Sequence, residues 1–200
     1  MRNWQRAGNK MNRVICSRRI LLATLIILAG AIFSTHALAQ EEGRKVTTLN
    51  LGFDVHQPGH EVFIPLILDV PDGVEVETAI SEVTFPNQLL SFNEVASGLS
   101  AQAASAEVRA VVEIDEQNPE DSVVTVTVST PEGQFIPSGV IADLAFTISE
   151  DAAVEQTIKL RNVVRAVTTD NRPVDPIAGT EGEIQVTATP PIFACFFYMH

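Results

Sequence analysis

Hydrophobic and polar residues alternate with a period of two along most of the chain after residue 45, and the apolar positions are rich in Val and Ile. This alternation is typical of half-buried β-strands, because successive side chains of a strand point to opposite sides. The runs are short and are separated by Gly, Pro, Asn and Asp, which favour turns. Nine strands are predicted, at residues 45–53, 61–70, 76–85, 89–95, 107–114, 122–129, 139–148, 157–167 and 183–187. Nine short strands predict an all-β sandwich.

The breaks between the strands have direct physical reasons. Pro58-Gly59 ends the first strand, and Pro71-Asp72-Gly73 forms a tight turn in which the glycine is free to take a positive φ. Pro86 has no amide hydrogen for a ladder bond, so 85–87 predicts another reversal. The Ala- and Ser-rich stretch 97–106 is compatible with a short helical turn or a loop. Residues 168–182 lack periodicity and predict an irregular connection.

The first 39 residues differ in chemistry from the rest of the chain. They hold six of the 13 Lys and Arg, whereas all 25 Asp and Glu follow them. Arg18-Arg19 precedes an apolar run over 20–33 and then Ala37-Leu38-Ala39, the small-x-small pattern that signal peptidase accepts. We therefore expect a secretory signal peptide over 1–39, cleaved before Gln40. A retained membrane anchor is the alternative, although the apolar run is shorter than the ~20 residues that a spanning helix needs.

Cleavage would leave 161 of the 200 residues, enough for one domain, which is predicted over 40–189. This part carries seven cations against 25 carboxylates, a formal charge of −18. Such a charge argues against nucleic acid and anionic membranes as partners and favours basic or calcium-bearing ones. Its single cysteine, Cys195, excludes internal disulfides. The expected location is secreted, whether extracellular, cell-surface or periplasmic, without a membrane span after cleavage.

Two segments hold residues that ligate metals. His56 and His60, with Asp54 and Glu61 beside them, flank the first turn, but nothing in a strand-turn-strand context forces two imidazoles to converge, so polar turn residues are favoured. Segment 113–121 is dense in hard oxygen ligands that suit calcium, but it lacks the EF-hand spacing and predicts a solvated hairpin loop. Its oxygen-bearing residues are Glu113, Asp115, Glu116, Asn118, Glu120 and Asp121. We therefore predict no metal or cofactor site, with calcium as the alternative for 113–121.

Few residues suggest catalysis. After cleavage three histidines remain, and neither a G-x-S-x-G motif nor a phosphate-binding glycine loop occurs. The protein is therefore predicted not to be an enzyme. A glycan-processing enzyme stays as an alternative, because the separation of paired carboxylates is a spatial property.

Polysaccharide is a less favoured ligand than protein. The only Trp, Trp4, lies in the leader, and alternation assigns the strand phenylalanines to the core, so no flat aromatic platform for sugar rings is expected. These phenylalanines are Phe53, Phe63, Phe85, Phe92, Phe135 and Phe146.

Residues 190–200 form an apolar, aromatic tail that follows the pair Pro190-Pro191 and contains Cys195. The tail could pack against the sandwich edge or fray. It could also serve as an attachment or sorting signal in which Cys195 forms an intermolecular disulfide or another covalent link.

Four segments in order carry a resemblance to a known family. A Pro-Gly turn at 58–59 precedes the Pro-containing apolar strand 62–68; Leu89-Leu90-Ser91-Phe92, Val95 and Gly98 follow, then the Gly-led strand 138–148 and the closing strand 181–186. Together, from about Val46 to Val186, they resemble the cohesin family, the sandwich modules that bind dockerins in cellulose-degrading assemblies. Phe85-Pro86-Asn87 stands where the family often has Tyr-Asp-Pro, and no contact residue is carried over.

The resemblance implies a nine-stranded jelly-roll β-sandwich and a non-catalytic module that binds a dockerin-type protein partner. It also suggests a link to polysaccharide breakdown or cell-surface assembly. A carbohydrate-binding module of the related sandwich type is the alternative function.

Overall fold

A computed structural model describes residues 46–189. Eleven strands and one short helix follow one another along this part of the chain. They are β1 (Thr47–Leu51), β2 (Phe53–His56), β3 (Glu61–Asp69), β4 (Val76–Pro86), β5 (Leu90–Ser97), α1 (Leu99–Ala103), β6 (Glu107–Ile114), β7 (Asp121–Ser129), β8 (Gly139–Ile148), β9 (Thr157–Thr168), β10 (Ile177–Ala178) and β11 (Gly182–Val186).

The strands form two sheets that enclose one apolar core. The five-stranded sheet has the order β10, β1, β3, β8, β5, and the six-stranded sheet has the order β2, β11, β9, β4, β7, β6. Neighbouring strands are antiparallel except in the pairs β1 with β10 and β2 with β11, which are parallel. Inward-facing Leu, Ile, Val and Phe side chains of both sheets form the core. The predicted all-β sandwich is confirmed.

All nine predicted strands are present, but the first, predicted over 45–53, ends at Leu51 as β1, and a separate strand, β2, follows Gly52 and runs beyond the predicted end to His56. Strand β1 pairs with β3, whereas β2 pairs with β11 in the other sheet. The Gly52 amide donates to the Pro65 carbonyl at 2.8 Å, and an added Cβ at Gly52 would lie 2.6 Å from Pro65 Cγ. Only glycine fits at this approach, so the chain changes sheets there. One further strand was not predicted. It is β10, which comprises only two residues and lies within the predicted irregular connection.

Three phenylalanines from three strands meet in the sandwich: Phe85 and Phe146 belong to the buried core, and the partly buried Phe92 packs against it. The Phe146 ring on β8 packs edge-to-face on Phe85 of the opposite sheet and on Phe92 of β5, with ring centroids 5.2 and 5.5 Å apart. Such edge-to-face pairs are a favoured aromatic geometry. Phe85 and Phe146 are therefore buried as alternation predicts, and Phe92 is partly buried.

The core assignment of the other three phenylalanines is wrong. Phe53, Phe63 and Phe135 are exposed by 76%, 52% and 50%. Phe53 lies on β2, in the strand that changes sheets, Phe63 lies on the outer side of β3, and Phe135 belongs to the β7–β8 connection. Phe53 and Phe63 thus lie on strands of different sheets, and Phe135 lies between strands.

The stretch 97–106, which the sequence left open, contains helix α1. Ala101 of α1 is fully buried and belongs to the core, while the neighbouring Leu99 is exposed. An added Cβ on Gly98, the N-cap residue of α1, would lie 2.4 Å from the Val140 carbonyl oxygen. Glycine is therefore required for the chain to pass this close to β8 before the helix begins.

Candidate protein-interaction face

Four adjacent strands of the six-stranded sheet, β9, β4, β7 and β6, form a continuous outer surface, which is called the β9–β6 face below. Its strands are 8 to 12 residues long, so at about 4.8 Å between strands and 3.3 Å per residue the face measures roughly 19 by 30 Å. Such dimensions are comparable to the ~800 Å² that each partner contributes to a standard protein interface.

Strand register places the outward side chains of this face in rows across the sheet. One row runs from Val111 through Thr125 and Glu82 to Val163, and the two valines at its ends are each 58% exposed. The two neighbouring rows add two further apolar side chains, Ile80 and the half-buried Val123. These rows are Arg109, Thr127, Ile80 and Arg165, and Glu113, Val123, Thr84 and Arg161. Half of the side chains in these three rows are Val or Thr, and apolar groups are exposed among the charged ones.

Cations of the described chain are concentrated on this face. Residues 46–189 contain five Lys and Arg, and four of them point outward from it: Arg109 on β6 and Lys159, Arg161 and Arg165 on β9. Three of these form ion pairs with carboxylates on the same sheet: Arg109 with Glu107 at 2.7 Å, Arg161 with Asp121 at 3.2 Å, and Arg165 with Glu82. All three arginine side chains remain mostly exposed.

The outer face of the other sheet lacks such cations. Its strands β1, β3, β5, β8 and β10 contain no Lys or Arg, whereas Glu61, Asp69, Glu94 and Asp143 point outward from them. The outer face of the five-stranded sheet is therefore acidic, whereas cations and carboxylates are mixed on the β9–β6 face. The clustering of cations was not predicted, although a signal was present in the sequence: Lys159, Arg161 and Arg165 alternate along one predicted strand and must share a side.

The two histidines of the first turn come together in the structure. The rings of His56 and His60 meet edge-to-face with centroids 5.3 Å apart, and His56 Nδ1 is buried without a hydrogen-bond partner. A strand-turn-strand pattern does not predict this convergence. The nearby carboxylates face elsewhere: Asp54 accepts the amides of residues 55 and 63, and Glu61 accepts the Asn93 amide at 2.7 Å.

Segment 113–121 forms the end of β6 and the loop to β7, as predicted. Its oxygens bind groups of the same region: Asp115 Oδ1 accepts the Gln117 amide at 2.9 Å, and Asp121 Oδ2 accepts the Asn118 side chain at 2.9 Å and Arg161 at 3.2 Å. Within residues 46–189 no three or more His, Cys, Asp and Glu side chains are grouped so as to hold a metal ion.

A groove of about 540 Å³ lies between the turn at 73–75 and the segment 168–175. The groove contains Asp170, whose pKa is lowered below its ordinary value by hydrogen bonds from Arg172 and Thr168. Because the side chains of Arg172 and Asp170 are exposed by 77% and 50%, their ion pair is a surface feature that water screens. Arg172 is the one cation of the described chain that lies away from the β9–β6 face.

The remaining predicted features, namely the leader 1–39 and the tail 190–200 with Cys195, lie outside the described residues. Across residues 46–189, no helix is both long and apolar enough to cross a membrane.

The described sandwich has the fold of cohesin domains. The third cohesin of ScaC from Acetivibrio cellulolyticus, solved in complex with the ScaB dockerin, matches with a TM-score of 0.62 at 17% identity, over 72% of this chain and 100% of that one. The cohesin of a Coh-OlpA–Doc918 complex from Clostridium thermocellum matches with a TM-score of 0.58 at 15% identity, over 71% and 99% of the two chains. A non-cellulosomal cohesin from the archaeon Archaeoglobus fulgidus matches with a TM-score of 0.53 at 14% identity, over 72% and 93%.

Comparison with protein-family models gives no match, and comparison with curated proteins gives none either. The resemblance to cohesins that the sequence motifs carried is therefore confirmed at the level of the fold. The chain is a cohesin-type β-sandwich.

Proposed function

We propose that the protein is a secreted, non-catalytic binding module that engages a dockerin-type protein through the β9–β6 face. The proposal rests on the combination of this fold with a broad face that exposes apolar side chains. Several solved structures of the same fold are cohesins in complex with dockerins. Exposed Val111 and Val163 supply the apolar contacts that the centre of a protein interface needs.

The composition of this face suits a rigid docking surface. Valine and threonine are β-branched and have few rotamers, so fixing them against a partner costs little conformational entropy. Strands β4, β7 and β9 are each paired on both sides, which holds the side chains in a fixed array. We therefore expect the face to bind without rearrangement of its backbone.

The predicted leader supports secretion, and the cohesin fold supports a role in polysaccharide breakdown or in assembly at a cell surface. One solved relative in fold is described as non-cellulosomal, so the proposal extends to assemblies outside cellulosomes.

The test is capture of partners by the full chain, produced with its leader in a secreting host and immobilised. Secreted proteins of the source organism are passed over it, and bound proteins are identified by mass spectrometry. We expect recovery of a dockerin-bearing protein, and loss of that recovery with the double variant Val111→Asp, Val163→Asp, because two charges would face the partner's apolar groups.

The matched control is Phe63→Asp, which places one charge on the opposite sheet and should leave capture unchanged. Capture that survives the double variant but is lost with Phe63→Asp would move the site to the other face. Recovery of non-specific material alone, or retention of the protein on cellulose, chitin or xylan in affinity electrophoresis, would reject the protein-binding function in favour of the carbohydrate-binding alternative.

A further inference from the structure

We infer that the protein forms a two-fold symmetric dimer in which the β6 edges of two copies pair as antiparallel strands, with the two Val111 residues facing each other at the axis. This pairing joins the six-stranded sheets of the two copies into one continuous sheet. The inference goes beyond the proposed function, because it concerns a second copy of this chain at the sheet edge, whereas a dockerin-type partner would contact the outer face.

Strand β6 is an open edge without the usual protection against strand pairing. Proteins commonly keep edge strands short or interrupt them with a bulge. Among the edge strands of the described sandwich, β10 has two residues, β2 has four, and β5 has a register shift between Phe92 and Glu94. Strand β6 has eight residues in unbroken register with β7, and it contains neither Gly nor Pro.

The free backbone groups of this edge belong to alternate residues. The Asp115 amide donates to the Asp121 carbonyl at 3.1 Å, and in an antiparallel ladder every second residue bonds the same neighbour. The odd-numbered residues of β6 therefore bond β7, and the amides and carbonyls of the even-numbered residues face the open edge. Hydrogen bonds to a second strand can come only from these even-numbered residues, which are Val108, Ala110, Val112 and Ile114.

The second half of β6 exposes apolar side chains on both sides of the sheet. Val111 points outward and is 58% exposed. Val112 and Ile114 share the inner side with the buried valines of β7, yet they are 47% and 66% exposed. The other sheet therefore leaves this part of the inner side uncovered. Exposed apolar residues on a long edge strand favour pairing with another strand.

The outer side of β6 is complementary to itself in one register. With Val111 on the axis, Arg109 of each copy lies opposite Glu113 of the other, so two opposite-charge pairs flank the central valines. Arg109 bonds Glu107 of its own strand, but it is 72% exposed and its guanidinium retains further donors. The next outer pair would set Glu107 against Asp115, which follows the end of β6, so the pairing ends before it.

The inner side is complementary in the same register. Ala110 of each copy lies opposite Val112 of the other, and Val108 lies opposite Ile114, so every inner pair is apolar. These are also the residues whose backbone groups are free, as hydrogen-bonded pairs of an antiparallel ladder require. Apolar and opposite-charge cross-strand pairs both stabilise a sheet.

The neighbouring registers lack this complementarity. An axis at Ala110 sets Glu107 against Glu113, which places like charges opposite each other. An axis at Val112 sets Val111 against Glu113, which places a carboxylate against an apolar side chain. Because like charges directly opposite destabilise a sheet, the sequence of β6 favours the axis at Val111.

The experiment measures the mass of the full chain, produced with its leader in a secreting host, by sedimentation equilibrium over a range of concentrations. We expect a concentration-dependent dimer. Arg109→Glu and Glu113→Arg should each weaken dimerisation at least about tenfold, because both opposite-charge pairs become like-charge pairs. The matched control is the charge reversal Arg172→Glu, outside the edge, which should change the dissociation constant by less than about twofold.

A mixture of the two single variants tests the register. When one copy carries Arg109→Glu and the other carries Glu113→Arg, each carboxylate again faces a guanidinium. The mixture should therefore dimerise under conditions in which neither variant does so alone. The double variant Arg109→Glu, Glu113→Arg should likewise recover the dimer. Variants that are merely unfolded would not recover it in either case.

A disulfide tests the position of the axis. Facing residues of a non-hydrogen-bonded antiparallel pair have Cα atoms about 4.5 Å apart, which is within the range that a disulfide spans. In a background of Cys16→Ser and Cys195→Ser, Val111→Cys should form a disulfide-linked dimer under mild oxidation. The control in that background is Phe63→Cys, which lies exposed on the other sheet and should remain unlinked.

A chain that stays monomeric at all concentrations would overturn the inference. A dimer that persists unchanged with Arg109→Glu, or a mixture of the single variants that stays monomeric, would overturn it as well, because the pairing of Arg109 with Glu113 defines the register. A monomeric chain can still capture a dockerin-bearing protein, so these results would leave the proposed function intact.

Discussion

Removal of the Phe146 ring is expected to be among the most damaging single truncations of the core. The ring is fully buried, contacts Phe85 of the opposite sheet and also packs on Phe92 of the neighbouring strand in its own sheet. Truncation of a buried Phe to Ala costs about 3–5 kcal/mol, and the two edge-to-face contacts, worth about 0.5–1.5 kcal/mol each beyond burial, place this site near the upper end. We expect Phe146→Ala to lower the free energy of unfolding by about 5 kcal/mol, against a usual total of about 5–15 kcal/mol.

The measurement is urea unfolding followed by far-ultraviolet circular dichroism. Tryptophan fluorescence is unsuitable, because Trp4 lies in the leader and residues 46–189 contain neither Trp nor Tyr. In a thermal scan the same loss corresponds to a decrease in Tm of about 10–20 °C for a domain of this size. If Phe146→Ala does not fold, Phe146→Leu keeps most of the volume and should still cost about 1–2 kcal/mol.

The matched control is Phe63→Ala on the neighbouring strand β3. Its ring is 52% exposed on the outer side of the same sheet, so we expect a loss of about 1 kcal/mol or less. Equal losses for the two variants would refute the assignment of Phe146 to the core and of Phe63 to the surface.

Two further predictions concern positions at which the sandwich leaves little freedom. The Asn162 side chain accepts a hydrogen bond from the hydroxyl of fully buried Ser81 at 2.7 Å and donates one to a β1 backbone carbonyl at 2.9 Å. Because Asn162→Ala leaves the buried hydroxyl unpaired, chemical denaturation should show a free energy of unfolding lower by about 2–4 kcal/mol. A decrease below about 0.5 kcal/mol would contradict this bridge. Gly98→Ala forces a Cβ against the Val140 carbonyl and should lower the free energy of unfolding by about 1–3 kcal/mol. Leu99→Ala, at the exposed neighbouring position, should leave the denaturation midpoint nearly unchanged. Equal midpoints for the two variants would exclude the close approach at Gly98.

Strand positions could be predicted well from the sequence because half-buried strands impose a period of two on it. The alternation over 122–129, for example, corresponds to β7 with its valines 124, 126 and 128 fully buried. Resemblance of four motifs to cohesins added the correct fold, since those motifs carry the turn and core positions of the sandwich. Local pattern and turn chemistry thus determined the elements and the class of architecture.

Pairing between distant strands was not available from the sequence. Alternation continues through Gly52 without a signal that β1 and β2 belong to different sheets, because the constraint comes from Pro65, which lies on another strand. Likewise Phe53 and Phe63 occupy positions that alternation alone assigns to the core. Which side of a strand is buried depends on the sheet that covers it, and the covering residues are remote in sequence.

The sequence by itself determined that this chain forms a β-sandwich with a strongly acidic composition, because strand periodicity and charge are local or additive properties. The tertiary structure alone decided where the charges act. Register across β6, β7, β4 and β9 gathers cations that are up to 56 residues apart, from Arg109 to Arg165, onto one face around exposed valines. The candidate binding surface is therefore a consequence of strand pairing, which composition cannot encode.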